Sequence, residues 1–336
     1  MPSGPAPTLG EDLRALERAF PYPRSLPMDP LAQLQRYRKD PRSAEVVGVI
    51  ASTIAVGNVK TIQQDLGALL KRIGPDPRGL VESFPRREWR TFFHPWRHRW
   101  IRADQMGMLL LRLGEAYENY PGGLEEVFRE GSGAFGPAER FSGGIDALSR
   151  VLRYGSLKEG SSLYEPPPGY TQLFPSPRAP GRPACKRELL FVRWMVRRHA
   201  PDLGLWRRVD PADLHIPLDT HVYWIARHLR LTRRRSRNWP TVVEITEGLR
   251  RLDPVDPIRF DFALAHTGIS GDCPKHRDWE VCGRCRVRPD CDLWRGRPVP
   301  PGPNDPVRAH NHNRLEPSTV SADHAPRTHP QAGPVP

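Results

Sequence analysis

Residues 262–291 read FALAHTGISGDCPKHRDWEVCGRCRVRPDC. The stretch begins as an apolar helix that Gly268 is expected to close, because glycine is favoured just past the end of a helix. Four of the chain's five cysteines then fall within nineteen residues, with the spacing C-x8-C-x2-C-x5-C. The polar segment around them cannot bury four thiols, so the spacing predicts a metal centre. Its ligands are Cys273, Cys282, Cys285 and Cys291.

Two cofactors suit four thiolates in one compact loop, a [4Fe–4S] cluster and a tetrahedral zinc ion. Zinc sites usually combine two close cysteine pairs that are separated by a longer connection. This chain has a single C-x2-C pair with unequal flanking spacings. We therefore predict a [4Fe–4S] cluster and keep zinc as the alternative.

The chain that precedes the cysteines has the pattern of an all-α protein. Apolar residues recur at helical spacing in segments bounded by glycine, proline or capping residues, and no pair of alternating strands stands out. The sequence does not decide whether residues 156–184 form a structured connection or a mobile loop. The predicted helices are 44–57, 59–73, 106–117, 145–154, 186–199, 220–231, 240–252, and one from 256 to 268.

These patterns divide the chain into four parts. Residues 1–27 are rich in proline and are predicted to form a flexible N-terminal segment, while residues 28–270 form the helical domain. Residues 271–295 are the predicted cluster loop. Residues 296–336 are predicted to be a disordered tail, because they hold too few apolar side chains to offset the entropy of ordering.

The composition bears on the partner and the compartment. Lysine and arginine together exceed aspartate and glutamate by 13 over 336 residues. That excess indicates nucleic acid ahead of an acidic membrane surface, although an arginine-rich genome would produce the same bias. No apolar run approaches the roughly 20 residues of a membrane span, and no secretory signal is visible. We expect a cytoplasmic, nucleoid-associated protein with no membrane partner.

Two segments carry a family resemblance, residues 262–291 and residues 217–229, which read PLDTHVYWIARHL. The second resembles the V-D-T-H-V signature of helix-hairpin-helix DNA glycosylases. The first resembles the C-x6-C-x2-C-x5-C loop of the endonuclease III type, with two extra residues between the first cysteines. The resemblance implies two helical subdomains with a C-terminal [4Fe–4S] cluster loop. Since no L-P-G-V-G hairpin is present, the chain looks more like an uncharacterised bacterial branch near archaeal 8-oxoguanine glycosylases.

The resemblance implies a catalytic pair. Asp219 stands at the catalytic aspartate of the signature, although an aspartate before a helix is also an ordinary N-cap. Lys186, 33 residues earlier, is the predicted amine nucleophile. Its alternative role is that of a solvated residue in the first turn of a helix. An amine acts as a nucleophile only when neighbouring groups keep part of it neutral near pH 7.

Two further sets of residues are predicted to contact nucleic acid. Cationic side chains are expected to bind phosphates, with ordinary surface charge as the alternative; they are Lys275, His276, Arg277 and Arg187. Other side chains are expected to line the pocket of a flipped base, although such residues more often pack in a core. These are Cys185, Trp194, Trp206, Tyr223 and Trp224.

These features together predict a base-excision-repair enzyme, a DNA glycosylase with AP lyase activity. We expect it to act as a monomer on double-stranded DNA that contains damaged bases or abasic sites. The lesion that the resemblance implies is an oxidised purine, 8-oxoguanine. The alternative is a non-catalytic DNA- or RNA-binding protein that keeps the fold and a structural metal cluster. The sequence has no phosphate-binding G-x-x-x-x-G-K-[ST] loop and no dinucleotide fingerprint.

Overall fold

The computed structural model describes residues 8–19, 26–158, 160 and 162–297. This part of the chain is mostly helical, which confirms the all-α prediction. The α-helices are α1 (Leu9–Ala19), α2 (Leu31–Leu34), α3 (Pro41–Ile54), α4 (Val59–Ile73), α5 (Pro77–Glu82), α6 (Ala103–Asn119), α7 (Leu124–Gly133), α8 (Arg140–Tyr154), α9 (Lys186–Val196), α10 (Thr220–His228), α11 (Trp239–Arg250), α12 (Asp261–Ile269) and α13 (Trp279–Gly283). Short 3₁₀ helices span Leu26–Met28, Gln35–Tyr37, Arg86–Glu88, Thr171–Leu173 and Pro211–Asp213.

The helix starts follow local capping signals in the sequence. A side-chain oxygen of the residue before the helix accepts a hydrogen bond from a first-turn backbone N–H, which satisfies one of the donors that a helix start leaves free. The helices α3 and α5 also begin with proline, whose fixed φ suits the first helical position. The capping residues are Asp40, Asn58, Asp76, Asp219 and Asn238.

Each predicted helix occurs, and the ends differ by a few residues. The predicted and observed bounds of α4 are the same. Helix α9 ends at Val196 because the backbone becomes extended at Arg197, whose guanidinium turns inward to bind Asp256. The prediction missed α7, whose sequence LEEVFREGSG holds two glycines. It also missed the two-residue antiparallel hairpin of β1 (Arg97–His98) and β2 (Ile101–Arg102).

The prediction of a flexible segment over residues 1–27 is wrong for residues 9–19, which form α1. Leu13 of this helix is fully buried, and Arg14 Nη2 donates a hydrogen bond of 2.8 Å to the carbonyl of Leu252. Leu9, Leu13 and Leu16 recur at helical spacing among the polar residues, and that signal is what identifies the helix. Residues 1–7 and 20–25 lie outside the described residues, as does the tail from 298 that was predicted to be disordered.

The helices that position the candidate site pack around one apolar core. Helix α3, buried along almost its whole length, packs against α9, while α7 packs on α8 and α10 packs on α12. The connection at 156–184 is structured in its described residues, since Tyr170, Leu173 and Phe174 are buried. The Tyr170 hydroxyl donates a hydrogen bond of 2.6 Å to the carbonyl of Leu152. Within the described ranges, no helix is long and apolar enough to cross a membrane.

Candidate functional site

A cavity of about 1090 Å³ lies between the start of α4 and the helices α9, α10 and α12. Its wall includes both predicted catalytic residues, Lys186 at the start of α9 and Asp219 just before α10. Both residues are half-buried. Leu16 and Ala19 of α1 also line it, so the helix that the sequence analysis placed outside the fold closes one side of the cavity.

Lys186 is held by a loop that follows α3. Its Nζ donates a hydrogen bond of 3.0 Å to the carbonyl of Ala55. The next carbonyl, that of Val56, lies 2.9 Å from His98 Nε2, and His98 Nδ1 lies 2.6 Å from a carboxylate oxygen of Asp65. The His98 side chain is fully buried. The hairpin therefore fixes the loop that receives the Lys186 amine.

Asp219 combines an N-cap with a place in the cavity wall. Its backbone is extended, and its Oδ1 accepts a hydrogen bond of 2.8 Å from the backbone N–H of Val222. A cap of this kind fixes the carboxylate and aligns it with the positive end of the helix dipole. The two roles that the sequence left open, cap and cavity carboxylate, are therefore compatible.

A second carboxylate, Asp261, also lines the cavity and was missed by the sequence analysis. Burial raises its pKa to about 6, against the opposing charge of Arg193, and the charge of Asp219 raises this pKa further. Asp261 forms an ion pair with Arg193, which is also in the cavity wall. Its Oδ1 is buried and has no hydrogen-bond partner among the residues described.

Arg193 belongs to a buried network of charges that holds Asp261 in place. Its Nε donates a hydrogen bond of 3.3 Å to Asp202, which also accepts one of 3.1 Å from Arg197. Arg197 in turn donates one of 2.9 Å to Asp256. Loss of one partner in such a network leaves a buried charge uncompensated and costs about 3–5 kcal/mol. Asp261 is therefore held rigidly at the cavity wall.

His221, which the sequence analysis left out of the active set, also lines the cavity. Its ring packs directly on α12 at Gly268, where a Cβ atom would lie 2.5 Å from the His221 Cβ and 2.6 Å from Nδ1. Nδ1 is buried and has no hydrogen-bond partner in the described part of the chain. The prediction that Gly268 closes the helix is wrong, since α12 continues to Ile269; the absence of a side chain at Gly268 instead admits this imidazole.

The predicted base-pocket residues divide between cavity and core. Trp194 is buried in the cavity wall. Trp206 lies in the core, where its Nε1 donates a hydrogen bond of 2.9 Å to Glu45. The Tyr223 hydroxyl donates one of 3.1 Å to the carbonyl of Arg234, and Trp224 stacks on His228. These three aromatic residues have the packing role that aromatic side chains more often have.

Cys185 and Arg187, on either side of Lys186, face the interior. Cys185 precedes α9 with a positive φ of 50°, and its thiol donates to the carbonyl of Pro175 at 3.1 Å. Burial raises the pKa of this thiol. Arg187 donates to the carbonyls of Thr53 and Leu173 at 2.9 and 3.1 Å, and burial lowers its pKa. Two nitrogens of its guanidinium thus bind backbone carbonyls within the fold, and phosphate binding by Arg187 stays a prediction.

The four cysteines of the predicted metal centre line a second, smaller cavity of about 30 Å³. Its remaining wall is largely apolar, with Ile225, Leu229, Leu264 and Val287 among the neighbours. In the described residues, no three His, Cys, Asp or Glu side chains are arranged to share one metal ion. Four thiol donors around one apolar cavity are a donor set that fits a sulfur-ligated centre. The metal centre and its identity both stay predictions.

The cationic residues of the four-cysteine loop reach the surface, and His276 also borders the cysteine-lined cavity. His276 and Arg277 are exposed, and Lys275 is half-buried with a positive φ of 70°. A cationic side chain at the surface can reach a phosphate without desolvating a buried charge. These three positions are therefore free to contact a polyanion, as the resemblance implies.

The fold and this site define a class of protein: a helical protein with a cavity, lined by both charged and apolar side chains, beside a four-cysteine loop. A family model described as a protein of unknown function (DUF2400) matches residues 29–270, more than two thirds of the chain, so the chain belongs to this family. The match includes Lys186, Asp219 and Asp261 and ends before Cys273. No curated protein and no solved structure matches the chain.

Proposed function

We propose that the chain is a DNA glycosylase with AP lyase activity that removes a damaged base, with Lys186 as the nucleophile and Asp219 as the catalytic carboxylate. The observation that carries the proposal is that both side chains line the same cavity of about 1090 Å³. A ligand cavity typically measures about 300–1,000 Å³, so this one has room for a flipped nucleotide. The net charge of +13 is consistent with a DNA substrate.

The proposed reaction uses the two residues in succession. The Lys186 amine attacks C1′ of the flipped nucleotide, and the bond from C1′ to the base breaks as the base leaves with the proton that the amine gives up. Asp219 stabilises the positive charge that develops at the sugar. Opening of the sugar ring gives a Schiff base on Lys186. Loss of a C2′ proton then expels the 3′ phosphate oxygen, and water releases the lysine.

Two other residues of the cavity wall would bind the base itself. Trp194 is buried in the cavity wall, and a flipped base would contact the part of its indole that borders the cavity. Asp261 Oδ1 is an acceptor that lacks a donor among the described residues, and an N–H group of the damaged base would satisfy it. This arrangement favours a base with an additional N–H donor, such as the oxidised purine 8-oxoguanine.

We assign the four-cysteine loop a [4Fe–4S] cluster, with zinc as the alternative. A bound cluster would supply four metal–thiolate bonds that hold the loop and its exposed cations in one shape. The residues that would hold it are Cys273, Cys282, Cys285 and Cys291. No step of the proposed reaction passes through it, since the reacting groups lie in the other cavity.

The test is borohydride trapping, which converts a Schiff base into a stable covalent adduct. Purified protein is mixed with duplex DNA that contains an abasic site or 8-oxoguanine, and wild type is compared with Lys186→Ala. Lys71→Ala, which removes a lysine from the exposed end of α4, is the matched control. We expect the adduct in wild type and in the control, and its loss in Lys186→Ala.

Two outcomes would contradict the proposal. An adduct that persists in Lys186→Ala would place the nucleophile at another residue. A wild-type protein that binds the duplex and forms no adduct on either substrate would contradict the lyase activity. That second outcome favours the alternative, a non-catalytic nucleic-acid-binding protein with the same fold and a structural metal cluster.

A further inference from the structure

Residues 86–102 form a basic segment of the described fold to which the sequence analysis gave no role. They read RREWRTFFHPWRHRWIR, with six arginines and one acidic residue. Arg86 forms an ion pair with Glu118, and Arg102 forms one with Asp104. Within the described ranges, no carboxylate forms an ion pair with the other four arginines, Arg87, Arg90, Arg97 and Arg99.

In space, this segment runs alongside helix α4, passing first the end of the helix and last its start. Near the end of α4, Arg72 donates a hydrogen bond of 3.0 Å to the carbonyl of Phe92. In the middle of the helix, Trp96 Nε1 donates one of 3.0 Å to the carbonyl of Asp65. Just before the start of α4, Arg99 lies against Gly57, where a Cβ atom would be 2.9 Å from its Nη1.

The start of α4 is the rim of the large cavity. Gly57, Asn58 and Val59 all line it, so the segment that follows α4 ends beside the cavity that holds Lys186 and Asp219. The segment therefore runs along α4 toward this rim. We call Arg90, Arg97 and Arg99 the arginine ridge.

Buried and exposed side chains alternate along the segment in a way that presents the arginines to solvent. Trp89, Phe93 and His98 are buried and attach the segment to the core, while the three ridge arginines are exposed. The Arg90 guanidinium lies 4.2 Å from the centre of the Trp89 ring, which holds it at the surface. Trp100 follows the ridge and is 49% exposed, an unusual position for the largest apolar side chain.

We infer that the arginine ridge is a second DNA-contacting surface, which binds phosphates of the strand beside the cavity, with Trp100 stacking on a base near the rim. The identity of the ligand as duplex DNA rests on the proposed function. Guanidinium groups bind phosphate through paired N–H donors, and an exposed indole adds a flat face for a base. The Arg99 guanidinium lies 5.0 Å from the centre of the Trp100 ring, and the exposed part of the indole offers a base a contact that an acidic protein segment would not use.

The experiment measures binding separately from chemistry. Fluorescence anisotropy gives the Kd of the full-length protein for a duplex with a tetrahydrofuran abasic analogue at several salt concentrations. The ridge variant is Arg90→Gln with Arg97→Gln and Arg99→Gln. The matched control changes three exposed arginines elsewhere to glutamine, Arg129, Arg207 and Arg208. Thermal unfolding of both variants verifies that the fold is kept.

We expect the ridge variant to bind about 10- to 100-fold more weakly at low salt, with the slope of log K against log[salt] reduced by about two to three. The control should keep the wild-type slope. Trp100→Ala should weaken binding about 5-fold or more without changing the slope, because it removes stacking and no charge. A ridge variant with the wild-type affinity and slope would overturn the inference.

Borohydride trapping of the same protein preparations, on a duplex with a natural abasic site, separates this inference from the proposed function. If wild type forms no adduct, and the ridge variant binds DNA more weakly than wild type, the surface inference is supported and the lyase proposal fails. If the adduct forms and the ridge variant binds like wild type, the surface inference fails alone. A wild-type protein without salt-dependent duplex binding would overturn both.

Discussion

The side-chain amine of Lys186 donates a hydrogen bond of 3.0 Å to the backbone carbonyl of Ala55, 131 residues away in the chain. Ala55 directly follows α3, in a loop whose next carbonyl is held by the buried His98. The position of the candidate nucleophile therefore depends on the hairpin that carries His98, although no residue of this hairpin lines the cavity. Because small displacements of a nucleophile have large effects on rate, His98 is expected to act as a positioning residue.

Two substitutions of His98 separate its two contacts. The amide nitrogen of glutamine reaches the position of Nε2 and can still donate to the Val56 carbonyl, whereas the shorter asparagine reaches only toward Asp65. We expect His98→Asn to lower the trapping rate about 10-fold or more, and His98→Gln to keep most of it. DNA affinity, measured by anisotropy, should be unchanged in both. An equal loss of rate in the two variants would show that His98 acts only through stability.

Asp219 has two roles, which its substitutions distinguish. Asparagine is as good an N-cap as aspartate, so Asp219→Asn should keep stability while it removes the charge. We expect base release to fall about 100-fold or more, which corresponds to roughly 2.7 kcal/mol in the transition state. Asp219→Ala should lose the same activity and about 1 kcal/mol of the free energy of unfolding. Single-turnover kinetics and urea unfolding measure the two quantities.

A second capping residue provides the matched control for Asp219. Asn238 caps α11 through a hydrogen bond to the backbone N–H of Thr241. Asn238→Ala should cost about 1 kcal/mol of unfolding free energy and leave base release unchanged. If Asn238→Ala lowers base release as much as Asp219→Asn does, the effect at Asp219 comes from the helix and not from its charge.

The part of the site on α9 could be predicted from helical periodicity. Lys186, Leu190, Arg193 and Trp194 stand at i, i+4, i+7 and i+8, which is one face of a helix, and all four line the cavity. The same periodicity indicates that Arg187, one residue after Lys186, points elsewhere, and its contacts with Thr53 and Leu173 are in the interior.

Other members of the site depend on contacts that local sequence does not reveal. Asp261 opens α12, and its sequence context is that of an ordinary first-turn acid. Its role at the cavity wall follows from the ion pair with Arg193, 68 residues earlier. His221 likewise lines the cavity next to α12 only because Gly268 has no side chain. The observed end of α9 differs from the predicted end for the same reason. The chain leaves the helix at Arg197, whose guanidinium binds Asp256.

The buried Glu188 predicts a pH dependence of stability. Burial raises its pKa from 4.5 to about 7, and its Oε2 has no hydrogen-bond partner among the described residues. Because the folded-state pKa lies above the unfolded one, the folded state holds this proton more tightly. The stability that the proton provides is complete below about pH 4.5 and is lost as the pH rises through about 7.

Replacing Glu188 with glutamine removes this titration and keeps an acceptor for the Ser149 hydroxyl, which lies 3.4 Å from Oε1. We expect Glu188→Gln to resemble wild type at pH 5 and to be more stable at pH 8, by up to ~3 kcal/mol. Urea unfolding of both proteins at the two pH values measures the difference between their free energies of unfolding. Contributions from other titrating groups are the same in both proteins and cancel in this difference. A stability difference that is the same at both pH values would contradict the assignment.

The chain also provides its own control for the metal centre, because Cys185 is a buried cysteine outside the four-cysteine loop. We expect anaerobically purified wild type to be coloured and to hold about four irons per chain, as a [4Fe–4S] cluster requires. Cys291→Ala removes one of the four ligands and should lower the iron content severalfold, whereas Cys185→Ala should keep it. Metal analysis and visible absorption measure this. A colourless wild type with one zinc per chain would favour the zinc alternative, because zinc–thiolate sites have no visible colour.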